Sequence, residues 1–545
     1  MIRVGANERL HDITKNKLVF TLILLFSAIA SVCYVVGDKV HPLEGYMDGF
    51  FISDAINLVL MFLFFVLLVT GVLILCKNFR YTEPSGRKFS HRHFWGVAGL
   101  ILFCFMPYFL TFYPGSITTD SFSSLDQALG GQPFSNTMPV LYSVGIKLCL
   151  KVGSLFGGIR TQVAVYSLTQ MLLMALGLSA ICEWIRVKGM PKIVRILALV
   201  FFCLNSVIGM YSITMWKDVL FSLICVLYVL YIYDIVECGT KNILKIRNLI
   251  AYIVFALLIS FARNNGIYVV ILTTAAFLFL GKGVRVKFGA IAGVLIALIM
   301  VIQGPVYAAL GIAKSPFAES VGVPLQQIGY TVKTDGSFTP EEKAFIEQIM
   351  TFEDIKEDYT PDCSNGIKFS PDFNGEFLEQ HKGEFLKTWA TVLLKNPVRY
   401  VKGYFFLTCG YWHTEIIDWR CSFGPSKSLF TDIVIPGTNV LDKALGIDIS
   451  SRLIDYIDNQ IDQLFLVKYL FRVAFPVWVM LLACIVLIYK KNAKQIAAML
   501  PIFGIWATLL IATPVYCEFR YMFAGHLALP ILFTIMLRKT PEIQE

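Results

Sequence analysis

Six ionisable side chains stand at the edges of long apolar blocks in this sequence. They are Asp120 in Tyr-Pro-Gly-Ser-Ile-Thr-Thr-Asp (113–120), Lys217 and Asp218 in Thr-Met-Trp-Lys-Asp (214–218), Arg263 in Arg-Asn-Asn-Gly (263–266), and Glu518 and Arg520 in Glu-Phe-Arg-Tyr (518–521). Ionisable groups at membrane depth are costly and are usually functional. Arginine grips phosphate through paired donors and lysine as a point charge, so Lys217, Arg263 and Arg520 together suit a phosphate or diphosphate. Asp120 lies in a stretch, 114–137, with no Lys or Arg. A lone carboxylate there can take a proton from a hydroxyl or hold a metal. Asn264 adds an amide, and Tyr113, Trp216, Tyr521, Tyr411 and Trp412 offer flat faces suited to sugar rings or to a membrane interface.

Each residue also has a plainer reading. Asp120 can cap a helix in the Thr-Thr-Asp-Ser run. Lys217 and Asp218 can be a solvated pair at a helix start. Arg263 and Arg520 can snorkel to lipid phosphates, and Asn264-Asn265-Gly266 is first of all a turn. The weight falls on the chemical reading only if these residues share one side of a membrane, so the topology decides.

The chain has 545 residues, is 56% hydrophobic and 16% charged, and has a mean hydropathy of +0.66. A soluble domain carries about 25% charged residues. The composition therefore excludes a disordered chain and argues against a soluble enzyme. The net charge of +9 sits in short loops between apolar blocks, a membrane pattern rather than a nucleic-acid surface. We expect an all-α polytopic membrane protein with twelve transmembrane helices, near 18–36, 55–76, 94–113, 162–182, 194–211, 217–236, 248–263, 266–281, 288–307, 468–489, 495–513 and 521–537. The first block is too long for a cleavable signal and reads as a retained anchor.

A thirteenth apolar stretch, 138–157, contains Lys147 and Lys151. If it lies along the outer interface, the predicted inner loops hold 24 Lys+Arg and the short outer loops hold 4. If it spans, every later loop changes side and the bias reverses. Positive charge accumulates inside, so the non-spanning reading follows, with both termini cytoplasmic at the plasma membrane. All six ionisable residues then fall on the outer side.

Residues 1–92 read as two added spans and a basic cytoplasmic loop. Residues 93–311 form a transmembrane core with a first outer loop at 114–160, and 467–545 carry three final spans. Between helices 9 and 10, residues 312–466 hold 14 Lys+Arg and 22 Asp+Glu. That polarity predicts an extracytoplasmic, mostly helical domain. Within it, 384–407 reads as an amphipathic helix broken at Asn396-Pro397, with Phe385, Trp389, Val392, Leu393, Val398, Val401 and Phe405 on one face. Cysteines lie mostly in apolar blocks; Cys409 and Cys421 are the nearest pair placed outside, and a disulfide between them is one reading. His526, inside the last span, reads as a satisfied core histidine. There is no zinc spacing, P-loop, GxSxG or dinucleotide fingerprint.

The run from Tyr113-Pro114-Gly115 through Asp120, Gln127-Ala-Leu-Gly-Gly131 and Pro139-Val-Leu-Tyr142 to Lys151-Val-Gly153 resembles the first outer loop of the GT-C superfamily of membrane glycosyltransferases. Trp216-Lys217-Asp218, Arg263-Asn264-Asn265-Gly266 and Glu518-Phe519-Arg520-Tyr521 resemble segments of bacterial families assigned to it. The resemblance covers roughly 94–537. It implies a sugar taken from a polyprenyl-phosphate carrier and placed on a cell-surface glycan or lipid acceptor, with Asp120 as the catalytic carboxylate. Many members have a paired acid in this loop, whereas here the next acid after Asp120 is Asp126. A divalent ion (Mg or Mn) held at Asp120 thus stays open beside a metal-free mechanism. Many members also carry His or Lys before Pro-Pro where this chain has Thr137-Met138-Pro139, which leaves Arg520, Lys217 and Arg263 as contacts for the carrier phosphate.

The leading expectation is an inverting glycosyltransferase with Asp120 as general base. Tyr113, Trp216, Asp218, Asn264, Glu518 and Tyr521 would support the site. The rivals are a transporter or flippase for an anionic lipid or glycan, and a non-catalytic glycan-assembly subunit. Transport calls for a site near mid-membrane, whereas these charges stand at the outer ends.

Overall fold

A computed structural model of the chain describes residues 11–79, 87–416 and 466–538, with short pieces between 440 and 460. Among these residues the architecture is helical, and the only strands are a two-stranded antiparallel ribbon, Val40–His41 with Tyr46–Met47. Cys421 lies outside the described residues, and with it the pairing with Cys409.

The membrane-type helices come first as α1 (Lys17–Gly37), α2 (Ile52–Asn78) and α3 (His91–Thr111). Two shorter helices follow, α4 (Thr119–Leu129) and α5 (Val140–Gly153). Next are α6 (Ile159–Val187), α7 (Lys192–Leu204), α8 (Ser206–Ile213), α9 (Lys217–Glu237), α10 (Ile246–Ala262), α11 (Gly266–Leu280) and α12 (Arg285–Val301). Among the described residues eight helices are long and apolar enough to cross a membrane, and a ninth if the α7–α8 pair is one span bent by 52°. The bend falls at Asn205, whose side chain accepts from Val207 and Ile208 N–H, both at 3.1 Å, and so starts a new helix inside the apolar block. Three of the expected spans are shorter apolar helices: α10, α11 and Phe475–Tyr489. At 17 residues or fewer they measure about 26 Å or less, against about 30 Å of hydrocarbon.

The stretch 138–157 forms α5, a 14-residue helix that is not among the spanning candidates. Its buried face, Tyr142, Ile146 and Leu150, packs on α4 and α6. Leu141, Val144, Leu148 and Val152 are exposed on the other side.

Burial separates centre from rim. The apolar window of α2 is 11% buried, whereas that of α9 is 72% and that of the last span, Phe519–Leu537, is 78%. Helix α9 packs against that last span, α6 and α10, so the helix that begins with Lys217 is the axis of the bundle. The polar segment that follows α12 contributes α13 (Gly322–Lys333), α14 (Pro340–Glu347), α15 (Phe352–Asp358), α16 (Lys382–Lys395) and α17 (Pro397–Thr408). The break between α16 and α17 falls at Asn396-Pro397, as the sequence predicts. The apolar face differs from expectation. Phe385, Val392, Tyr400 and Phe406 are buried, but Val398 and Val401 are exposed. The break re-phases the second helix, so one continuous stripe does not survive it. The chain closes with α18 (Phe475–Tyr489), α19 (Leu500–Ala512) and α20 (Phe523–Leu537). His526 is buried, with Nδ1 3.0 Å from Met522 O and Nε2 3.1 Å from Arg472 O, the satisfied core histidine that was expected.

The α10–α11 turn carries a prediction of its own. A Cβ on Gly266 would stand 1.9 Å from the Ile259 carbonyl oxygen, so Gly266→Ala must push the two helices apart and move Arg263. Overpacking of this kind costs about 1–3 kcal/mol. Gly145 has nothing within 4 Å of its would-be Cβ, and Gly145→Ala in the same assay should be neutral or stabilising. Thermal unfolding in detergent checks both.

Candidate active site

Backbone pairing brings the segment between α3 and α4 onto the start of α9. Ser116 N–H donates to Ile213 O at 3.0 Å, and Met215 N–H donates to Ser116 O at 2.9 Å, a short parallel bridge. Ser121 Oγ then donates to Met215 O at 2.7 Å, and the Trp216 indole donates to Thr118 Oγ. From within the bundle, Gln170 Nε2 donates to the carbonyls of Tyr211, Ser212 and Thr214 at 3.0, 3.2 and 2.7 Å, while its Oε1 accepts from Tyr166 OH at 2.7 Å. These bonds fix the non-helical turn 214–216 and with it the direction of Lys217. Gln170 and Tyr166 carry no sequence signal: a glutamine and a tyrosine in an apolar span read as packing residues until their partners are known.

Asp120 does not cap α4. Thr118 is the N-cap and Ser121 closes the box, accepting from Thr118 N–H at 3.0 Å. The Asp120 side chain is left 37% exposed and pairs with Arg520 Nη1. Burial pushes its carboxyl upward, but Arg520, then Lys217 and Arg263, outweigh that and hold it below the usual carboxylate range.

The other ionisable residues gather around this pair. Arg520 Nε stands 3.6 Å from Glu518 Oε2, and its guanidinium lies over Trp216 at 4.9 Å and over Tyr521 at 5.1 Å. Arg263 also lies over Tyr521, 4.8 Å from the ring centroid. Arg263 Nη1 reaches the buried Asp218 Oδ1 at 2.7 Å. Lys217 has no carboxylate within ion-pair distance among the described residues; its Nζ donates to Thr137 O and meets Met138 Sδ, both at 3.3 Å. Thr137 is held nearby because Asn264 Nδ2 donates to Asn136 O at 2.6 Å and Asn136 N–H donates to Ala313 O at 2.7 Å. Asp120, Trp216, Lys217 and Asp218, with Ser124, Met138, Tyr142 and Met215, line a closely packed crevice that leaves no room for a water molecule. The solvated-pair and snorkelling readings of Lys217–Asp218, Arg263 and Arg520 do not fit this packing.

The segment between α12 and α18 positions Arg520. Ser364 N–H donates to Pro514 O at 2.8 Å, Tyr516 N–H to Asp362 O at 2.9 Å, and Gly410 N–H to Tyr516 O at 3.1 Å. The segment leading to Glu518 and Arg520 is thus threaded between 362–364 and 410. Of the flat faces, Trp216 and Tyr521 join the site as partners of arginine. Tyr113 packs edge-on against Phe109. Tyr411 is fully buried with its OH donating to Val515 O at 2.9 Å, and the Trp412 indole donates to Thr408 Oγ1 at 3.2 Å. Tyr411 therefore braces the threaded segment rather than presenting a face to a sugar.

The Asp218–Arg263 pair supports a measurable expectation. Asp218→Asn leaves a guanidinium without its buried carboxylate, which costs about 3–5 kcal/mol. The double variant Asp218→Asn/Arg263→Gln should cost less than the sum of the two singles in a double-mutant cycle read by thermal unfolding.

For a metal, the donor set does not fit. Among the described residues no three His, Cys, Asp or Glu side chains converge, and the groups acting on Asp120 are the cations Arg520, Lys217 and Arg263. What the cluster can do is bind an anion against Lys217, Arg263 and Arg520 with a carboxylate alongside.

No curated protein and no solved structure matches the chain. A family model described as "Family of unknown function (DUF6020)" matches residues 133–544. Lys217, Asp218, Arg263, Glu518 and Arg520 lie inside that span, and Asp120 lies just before it. The match takes in well over half of the sequence, and the chain belongs to the DUF6020 family.

Proposed function

We propose that this protein is an integral-membrane glycosyltransferase of GT-C type, using a polyprenyl-phosphate sugar as donor and acting on the outer face of the plasma membrane. The observation that carries the reading is the convergence of Asp120, Lys217, Arg263 and Arg520, from four separate segments, on one cluster. Twelve spans with both termini cytoplasmic, from the charge bias of the loops, put that cluster on the outer side. The exposed apolar face of α5 suits a helix lying along the interface.

In the reaction, Asp120 takes the proton of the acceptor hydroxyl. The acceptor oxygen forms its bond to the anomeric carbon as the bond from that carbon to the carrier phosphate breaks. The electron pair leaves with the phosphate, where Arg520, with Lys217 and Arg263, stabilises the developing charge. One displacement inverts the anomeric centre. Three cations can neutralise the phosphate without a divalent ion, which favours a metal-free mechanism. Glu518, Asp218, Trp216 and Tyr521 hold the cations, Asn264 holds Asn136 beside the Lys217 contact at Thr137, and the outer domain, which braces the Arg520 segment, helps select a glycan or lipid acceptor.

The stereochemical outcome is the test. Protein in lipid nanodiscs is given a polyprenyl-phosphate sugar of known anomeric configuration and a panel of glycan and lipid acceptors, with and without chelator. The expected product has the opposite configuration, appears with free carrier phosphate, and forms in chelator. A retained configuration contradicts the single displacement. If no donor of the panel is consumed while an anionic lipid moves across a reconstituted bilayer, the transporter reading replaces this one.

A further inference from the structure

Resting on that reading, the site has one more property. The guanidinium that is to hold the donor phosphate is already occupied, because Arg520 Nη1 is paired with Asp120. A carboxylate bound to arginine is a poor acceptor for a hydroxyl proton. The same two residues therefore cannot play their two roles while they hold each other. The surroundings indicate which partner moves. Arg520 is stacked between Trp216 and Tyr521 and has Glu518 behind it, and its side chain is only 13% exposed. Asp120 is 37% exposed, against 13% for Arg520, and stands on a first turn whose cap is made by Thr118 and Ser121. Arg520 is the fixed member and Asp120 the displaceable one.

We propose that Asp120 is an internal stand-in for the donor phosphate: the phosphate displaces it from Arg520, and that displacement frees it as the base. The donor then binds before the base is competent, and without a donor the carboxylate stays neutralised by arginine. Lys217, which has no carboxylate partner among the described residues, is the cation that meets the incoming phosphate first. The swap exchanges one anion for another on Arg520, so the buried cations do not lose compensation at any stage.

The consequence is a variant that loses catalysis and gains affinity. Asp120→Asn removes the competitor for Arg520 and should bind a polyprenyl phosphate about five-fold more tightly than wild type, the ratio given by removing a pair worth about 1 kcal/mol. The experiment is equilibrium binding of a radiolabelled short-chain polyprenyl monophosphate to the full chain in phosphatidylcholine nanodiscs. Wild type, Asp120→Asn, Asp120→Ser and Arg520→Ala are compared, each checked for folding by its melting profile. Tighter binding by both Asp120 variants, with weaker binding by Arg520→Ala, is the expected result. Equal or weaker binding by the Asp120 variants, with Arg520→Ala still weakened, overturns the stand-in and leaves the donor site in place. Binding unaffected by Arg520→Ala, or absent in wild type, overturns the donor site itself.

Discussion

Arg520→Ala should lower donor turnover about 100- to 1,000-fold, the usual loss when one donor aimed at developing transition-state charge is removed. No other side chain of the site has so many neighbours. It pairs with Asp120, stands 3.6 Å from Glu518, and lies over both Trp216 and Tyr521. Arg520→Lys should recover little. A lysine keeps the charge but loses the plane that stacks on the two rings and the fork that fits a phosphate. Because charge on the leaving phosphate grows as the bond breaks, kcat and kcat/KM should fall together, whereas loss of ground-state binding alone would raise KM with kcat unchanged. Steady-state kinetics on a carrier-phosphate release assay, normalised to folded protein, separates the two.

Asp120→Asn should lower kcat by about 10²- to 10⁴-fold, the contribution of a positioned general base. Its acid limb has a defined sign. In the free protein burial raises the carboxyl, but Arg520, Lys217 and Arg263 lower it further and hold it below the ordinary carboxylate range. It is therefore ionised throughout the neutral range, and the acid limb of kcat/KM falls below the ordinary carboxylate range. Once phosphate holds Arg520 the strongest of these pulls is lost, so the acid limb of kcat should lie at higher pH than that of kcat/KM. The same depression links to stability. A lowered folded value contributes stability that is present above the unfolded value and is lost as pH falls through the folded one. The gap in melting temperature between wild type and Asp120→Asn should accordingly close as pH drops below the ordinary carboxylate range.

The apolar blocks were legible because bilayer length and loop charge are both written locally, in composition. The same arithmetic kept 138–157 out of the set of spans, and α5, at 14 residues, is not a spanning candidate. Bends and lengths were less legible. Asn205 has N-cap chemistry, but a single asparagine in an apolar block reads equally well as a satisfied core residue. The six ionisable residues stood out because charge is rare at helix ends. Their pairing did not: nothing local links Arg263 to Asp218 or Arg520 to Asp120, which are 400 positions apart. Gln170 was invisible for the same reason, since its three carbonyl partners lie more than 40 positions away, at the end of α8 and in the turn after it. Tyr411 was misread as a free face because an aromatic near a membrane interface and an aromatic bracing a loop look alike in sequence. Val398 and Val401 were placed with Phe385 by spacing, and the break at Asn396 turned them outward.

The central claim is that four residues from separate segments form one donor site with Asp120 as its base. The most direct measurement is single-turnover release of carrier phosphate from a polyprenyl-phosphate sugar in nanodiscs, comparing wild type with Asp120→Asn at saturating donor and acceptor. Rapid release by wild type and a loss of at least about 100-fold in Asp120→Asn, with donor still bound, are the expected results. Release at the wild-type rate by Asp120→Asn would contradict the claim.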